Sequence, residues 1–410
     1  MMPGEPTAKD AAAHERSAWI AAAAILGLAA TLKGWRTPNL WAATQAQLDY
    51  GLGFVKRGLF GEVLSLLGLH IERYTDFGYL SWILLAATLG LLAQYVRTSG
   101  AFRAWDNGSL VALFASSFGL TYLAHLAGYL DIVLLCLALL ALLVPHAGLA
   151  RLAVLLAAVI GVCVHESYLF LFFPVTLLPA LLPALDEERP SAALLMLGGL
   201  VLAVGLCVLF VAFDRSLSPA ELALLQGEIA ARTDFPLRAD FFEVLGRSAT
   251  DNLRIMAGIM REGHWWRDHL VAGVTMLPTC ALFLWASLGA LRRHYGGWRR
   301  RVATTAALAA SLSPLLLQVF GWDIYRWYAL TVVTSFLTMV AAGRHCLPQG
   351  EASMLGPRLR VLAIVLIGLN MASGEGLMDE QRVAAFPFKS LLSLVQDIRA
   401  HEGRLPIPQN

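Results

Sequence analysis

About eleven apolar runs, each near the length needed to cross a bilayer, fill this chain and leave no stretch long enough for a separate soluble domain. A spanning helix needs roughly 20 mostly apolar residues. Lipid offers the backbone no hydrogen-bond partner, so runs of this kind must be helical. They lie near 17–33, 76–96, 108–126, 129–146, 150–164, 167–185, 191–213, 269–291, 302–320, 326–343 and 359–375. The fold class expected is all-α, a polytopic integral membrane protein with about eleven transmembrane helices in one domain spanning 1–410. Composition agrees: 58% of residues are hydrophobic, only 15% are charged and mean hydropathy is +0.63, far from the balance of a soluble domain.

Orientation follows from the basic residues. LRRHYGGWRRR carries Arg292, Arg293, Arg299, Arg300 and Arg301, and the positive-inside rule makes that loop cytoplasmic. Alternation then places Arg97, Arg103, Arg151, Arg189, Arg344, Arg358 and Arg360 on the same side, the N-terminus inside and the C-terminus outside. The first run, SAWIAAAAILGLAATLK, has no small-residue cleavage site after it and is expected to be a retained helix. The net charge of +2 is spread over short loops, which gives no footprint for nucleic acid.

Against this background a few ionisable residues stand out. An ionised side chain at bilayer depth costs on the order of 2.5–3.5 kcal/mol on insertion scales. Asp323 and Arg326 occupy the short turn GWDIYRW between the ninth and tenth runs; Asp131 opens the fourth in GYLDIV; His165 and Glu166 sit in the hairpin VHESYLFLFFP; Asp49 lies in the first loop. Alternation puts all six on the outer face. Two readings stand for each. Asp323 and Arg326 are neighbours on a helix surface that either neutralise each other or hold and orient a substrate phosphate. Asp131 either meets a helix dipole or joins a site. His165 and Glu166 either cap a tight hairpin or act chemically.

Three outer segments flank these residues. In the first loop, 34–75, Val55, Leu59, Val63 and Leu66 recur at helical spacing with Lys56, Arg57 and Glu62 elsewhere on the wheel, the pattern of a helix lying in the interface. Glycines at 51, 53, 58 and 61 argue for a bent, closely packed segment. Lys56 and Arg57 suit lipid headgroups and, equally, an anionic pyrophosphate. The second excursion, 214–268, opens with Ser218, Pro219 and Glu221, a capping box. It closes on Trp265 and Trp266, belt aromatics flanked by His264 and His269, which read as interfacial histidines. The tail, 376–410, carries a further amphipathic stretch, FPFKSLLSLVQDIRAHEG.

Nucleotide-binding glycine motifs, GxSxG and HExxH are absent from the chain. Cys136, Cys163, Cys207, Cys280 and Cys346 form no metal or disulfide pattern and read as packing residues. Carboxylates, a histidine and cations gathered at one membrane surface suit glycosyl transfer from a lipid-linked sugar. There a cation holds the leaving phosphate and a carboxylate takes the proton of the attacking hydroxyl.

Through LDYGLGFVKRGLFG, GYLDIV, VHESYLFLFFP and GWDIYRW the chain resembles the GT-C class of polytopic glycosyltransferases and the related polysaccharide polymerases of bacterial envelopes. The resemblance implies Asp49 as acid/base, Asp131 as second acidic position, and Arg57 and Arg326 as phosphate or glycan contacts. Beside these, the residues themselves offer His165 and Glu166 for catalysis and Lys56 and Asp323 for substrate contact; the partners expected are a polyprenyl-phosphate-linked saccharide and a glycan acceptor, and the one cofactor considered is a divalent cation, magnesium or manganese. No clean DxD or ExD pair supports that cation. The location implied is a bacterial inner membrane. The rivals are a transporter or flippase, disfavoured because the acidic groups share one face, and a non-catalytic envelope scaffold.

Overall fold

The apolar runs become helices, and no strand is present among the described residues. The computed structural model describes residues 8–51, 53, 55–100, 105–144, 147–187, 198–199, 201–202, 205, 217–321, 323–347, 354–373, 395–396, 398–400 and 404–407. Most of the run expected at 191–213, most of the amphipathic tail and Cys207 lie outside them.

Six helices are long and apolar enough to cross a membrane, over Ala13–Gly34, Tyr74–Ser99, Asn107–His125, His264–His294, Gly297–Val319 and Ile324–Cys346. Their flanks carry large exposed apolar side chains, among them Ile25, Ile83, Val274 and Trp285, each more than 60% exposed. A surface of this kind belongs against lipid. The protein is a helical membrane protein. The remaining expected spans are shorter. The runs at 129–146, 150–164, 167–185 and 359–375 give helices Leu130–Leu143, Ala147–Val164, the pieces of 168–186, and Pro357–Ala372. A 14-residue helix is only about 21 Å long, short of the roughly 30 Å hydrocarbon core.

In chain order, α1 is Ala8–Gly34, α2 Leu40–Gln45, α3 Leu59–Leu66 and α4 Tyr74–Ser99; α5 (Trp105–Ser116) and α6 (Phe118–His125) form one interrupted rod. The interruption is Ser117, extended at φ −77°, ψ 160°. Next come α7 (Leu130–Leu143) and α8 (Ala147–Val164), then α9 (Tyr168–Leu171), α10 (Phe173–Thr176) and α11 (Leu178–Asp186). Proline explains this fragmentation: Pro174 and Pro179 stand at the starts of α10 and α11, where a missing N–H is harmless, and each forbids continuation of the helix before it.

The segment 217–262 holds α12 (Pro219–Arg232), α13 (Ala239–Gly246) and α14 (Ala249–Ile259). The expected capping box is present at Ser218 and Glu221, and a second stands at Ser248 and Asp251. Leu225, Ile229, Phe241, Phe242 and Leu245 bury themselves against Leu48 of the first loop, so this segment and the first loop share one small core. The amphipathic helix of the first loop begins at Leu59, not Val55. Val55 is buried ahead of it, while Val63 and Leu66 are exposed. Finally α15 (Gly263–His294), α16 (Gly297–Leu312), α17 (Ile324–Cys346) and α18 (Pro357–Ala372) complete the bundle.

The centre of the bundle is α17, whose Phe336 stacks on Phe114 at 4.0 Å and meets Phe283 edge-on at 5.5 Å. Thr334 Oγ1 of α17 donates to the Ser311 carbonyl of α16 at 2.8 Å, a polar bond between helices of the kind membrane bundles use. At the end of α1 the backbone itself is the contact: a Cβ added to Gly34 lies 1.9 Å from the Thr121 carbonyl oxygen of α6. Gly34→Ala is therefore expected to lose about 1–3 kcal/mol through overpacking, read as a lower unfolding midpoint in detergent. Gly90→Ala, where nothing lies within 4 Å, serves as the control, whose midpoint should hold or rise because alanine is the better helix former.

Candidate functional site

Three charged groupings gather at the end of the bundle away from the arginine-rich 292–301 turn. The first is built on Arg326, in the first turn of α17. Its Nη1 donates to Asp323 Oδ2 at 2.8 Å, and its Nη2 lies 2.7 Å from Asp131 Oδ2 in the first turn of α7. The guanidinium is also faced by the rings of Tyr129 at 5.2 Å and Trp327 at 4.6 Å, an arrangement Arg tolerates better than Lys because its charge is delocalised and weakly hydrated. Asp131 has no exposed side-chain surface. Both of its oxygens, and Arg326 Nε, are buried without a well-formed hydrogen bond. Buried polar atoms left in this state call for an explanation.

The second grouping lies in the loop before α3 and the turn between α8 and α9, outside the long spans. Arg57 grips Glu166 with two nitrogens; its Nε lies 3.2 and 3.1 Å from the two carboxylate oxygens, and Nη2 closes on Oε1. To reach it, Arg57 takes a left-handed backbone, φ +68°, the one positive-φ non-glycine among the described residues. That conformation costs about 1–2 kcal/mol for a residue with a Cβ, and strain of this sort concentrates at functional sites. Gly58 follows because a Cβ there meets the Tyr50 ring at 2.7 Å.

His165 sits beside the pair, its Nδ1 accepting the Ser167 amide at 3.1 Å. That bond leaves the ring proton on Nε2 in the neutral form. Burial, and then the Arg57 charge, push its pKa down to about 3, with Arg326 and Lys56 adding to the effect. Burial alone raises the Glu166 carboxyl; Arg57 and His165 outweigh it and hold Glu166 well below the usual carboxylate range.

Asp49 belongs to a third grouping. Arg232 of α12 donates to its Oδ2 at 2.8 Å and the Gly51 amide to its Oδ1 at 3.0 Å. Both side chains line a cleft of about 110 Å³ together with Gln47, His70 and Glu72. The cleft is smaller than the roughly 300 Å³ of a typical small-molecule site, so it admits part of a ligand.

Of the eight residues singled out in the sequence, Asp131, Asp323 and Arg326 form one cluster, and Arg57, His165 and Glu166 another. Lys56 turns to the Arg247 carbonyl at 3.3 Å, and Asp49 is held apart by Arg232. Sequence reasoning missed Arg232, Tyr129 and Asn39, whose Nδ2 donates to the Tyr129 hydroxyl at 2.7 Å. Tyr129 stands two residues before Asp131 and was open to notice; the Asp49 to Arg232 pairing spans 183 residues and was not. His264 is an exposed partner of Glu262, and His269 packs on Trp265 at 4.0 Å, as interfacial histidines do. Among the described residues no three acidic or histidine side chains converge within 4.8 Å of one another at this end. No protein-family model, curated protein or solved structure matches this chain.

Proposed function

We propose that this chain is a glycosyltransferase or glycan polymerase that takes a polyprenyl-phosphate-linked sugar at the periplasmic face of a bacterial inner membrane and serves envelope polysaccharide synthesis. The observation that carries the reading is Arg326, a buried guanidinium oriented by two carboxylates and two aromatic rings with Nε unspent. It lies at the same end of an apolar bundle as Arg57, Lys56 and the Asp49 cleft. A lipid-linked donor brings its phosphate to this depth with its tail among apolar helices. An arginine already fixed in place loses little entropy in meeting the phosphate.

In this reading the acceptor hydroxyl gives its proton to Asp49 while its oxygen bonds to the sugar C1. The bond from C1 to the phosphate oxygen breaks and the electron pair stays on the phosphate, where Arg57 and Arg326 stabilise it. Asp49 suits the base because it is a partly exposed carboxylate that lines a cleft. Glu166, kept strongly acidic by Arg57, suits the positioning of that arginine instead. No step is routed through a metal.

The test is mass spectrometry of polyprenyl-linked and surface glycans in a strain lacking the gene, complemented with wild type or Asp49→Asn. The expected result is loss of one sugar, or a stall at one repeat unit, restored by wild type and not by the variant at equal abundance. Full rescue by Asp49→Asn removes Asp49 as base. An unchanged profile in the deletion strain removes the enzyme reading and brings the transporter or scaffold forward.

A further inference from the structure

At the opposite end of the bundle three side chains converge that the proposed reaction does not use. Asp186 ends α11, His294 ends α15 and His345 is the penultimate residue of α17. His294 Nε2 stands 2.9 Å from Asp186 Oδ1, and His345 Nε2 stands 2.8 Å from Oδ2. The three ligand atoms lie within 4.8 Å of one another. His345 is nineteen positions beyond Arg326 on the same helix, roughly 28 Å at 1.5 Å per residue, so this cluster is separate from the outer groupings.

We propose that Asp186, His294 and His345 bind one divalent transition-metal ion of the zinc type, tying together the ends of α11, α15 and α17. The donor set is two imidazole nitrogens and one carboxylate, which suits zinc and its neighbours rather than magnesium or calcium. Ligands at about 2.0–2.1 Å from a tetrahedral ion stand roughly 3.3 Å apart, so the two contacts to Asp186 need to open by about half an ångström, and all three ligand atoms already lie within 4.8 Å of one another.

Two further features favour a cation here. All three residues lie at helix C-terminal ends, where the macrodipoles place partial negative charge. The surroundings are also built: Tyr295 packs against His294 at 4.6 Å and stacks parallel to His345 at 6.4 Å, and its hydroxyl donates to the Leu182 carbonyl, one turn before Asp186, at 2.7 Å. The imidazoles thus come from helices already fixed against α11. Asp186 and His294 are a third or more exposed, which gives an ion and a completing water a path in. Arg293 and Arg344, adjacent to the ligands in sequence, oppose a bare cation, which makes the Asp186 charge the indispensable ligand.

A hydrogen-bonded staple of two neutral histidines on one carboxylate is the competing account, and zinc separates the two. Full-length protein, purified in detergent without a polyhistidine tag and stripped with chelator, is equilibrated with zinc chloride, and bound zinc per chain is measured by mass spectrometry alongside the unfolding midpoint. The expected result is one zinc per chain and a raised midpoint. Affinity should fall at least tenfold in His345→Gln, His294→Gln and Asp186→Asn, and stay unchanged in His269→Gln. Asp186→Asn keeps an acceptor for the imidazoles while removing the anionic ligand. Size-exclusion profiles and midpoints without zinc show that each variant is folded. Binding well below one equivalent, or binding equal in His345→Gln and wild type, overturns the site and leaves the staple.

Discussion

Arg326→Met is expected to lower stability by about 3–5 kcal/mol and to remove most of the folded protein recovered in detergent. The reason lies in Asp131 more than in the arginine. Asp131 is fully enclosed, and its one close cation among the described residues is Arg326 Nη2 at 2.7 Å. Without it a carboxylate stays buried with no hydrogen bond of good geometry. The double variant Asp131→Leu/Arg326→Met removes both charges and should recover most of the loss, because an apolar pair of similar volume is often neutral or better than a buried ion pair. Asp323→Asn should change stability by less than about 1 kcal/mol, since that carboxylate is 37% exposed and water replaces its partner. The check is the unfolding midpoint of the wild type and the three variants in one detergent. If Arg326→Met unfolds at the wild-type midpoint, Asp131 is solvated and the buried pair does not exist. If the double variant folds and still fails to restore the glycans, the charges serve the reaction and not the fold.

That pairing marks the boundary of what the sequence could disclose. The six long spans were legible because each hides a full turn-by-turn apolar pattern in its own residues, and the capping box at Ser218 because its two partners are three residues apart. The 167–185 run was misjudged because proline redirects the chain: Pro174 and Pro179 cut 168–186 into pieces, although both lie in a run as apolar as its neighbours. The first-loop helix was begun four residues early because a hydrophobic wheel does not register the left-handed Arg57 ahead of Gly58.

At the site, burial cost alone flagged Asp131, His165, Glu166, Asp323 and Arg326, since a charged residue within an apolar run demands a partner. Which partner it finds is set by helix packing. Arg326 reaches Asp131 across 195 positions and Arg57 reaches Glu166 across 109, distances that no local pattern encodes. Asp186, His294 and His345 escaped notice for the same reason, each reading alone as an ordinary helix-end residue.

The Arg57 cluster gives the second large effect, and its sign distinguishes an electrostatic unit from a packing contact. In the wild type His165 has a folded pKa of about 3 against an ordinary value of 6.5. The unfolded chain therefore takes up a proton that the folded one refuses as pH falls below 6.5, and stability drops with it. Between pH 7 and pH 5 the expected loss from His165 is about 1–2 kcal/mol; Glu166, held below the carboxylate range, adds its own loss only at lower pH. Arg57→Met is expected to cost about 3 kcal/mol at pH 7 by stranding Glu166, and also to reverse the slope. With the guanidinium gone, burial raises the Glu166 pKa, and His165 is left beside an anion with its strongest opposing cation removed. The folded state then binds a proton more tightly than the unfolded chain, so acid restores part of the stability. The double variant Arg57→Met/Glu166→Leu removes that anion as well and should return to the wild-type direction, because His165 is still buried. Unfolding midpoints in detergent at pH 7, 6 and 5 read all three slopes. Parallel curves for wild type and Arg57→Met mean that Arg57, Glu166 and His165 do not share one protonation equilibrium, and the site must then be rebuilt around Arg326 alone.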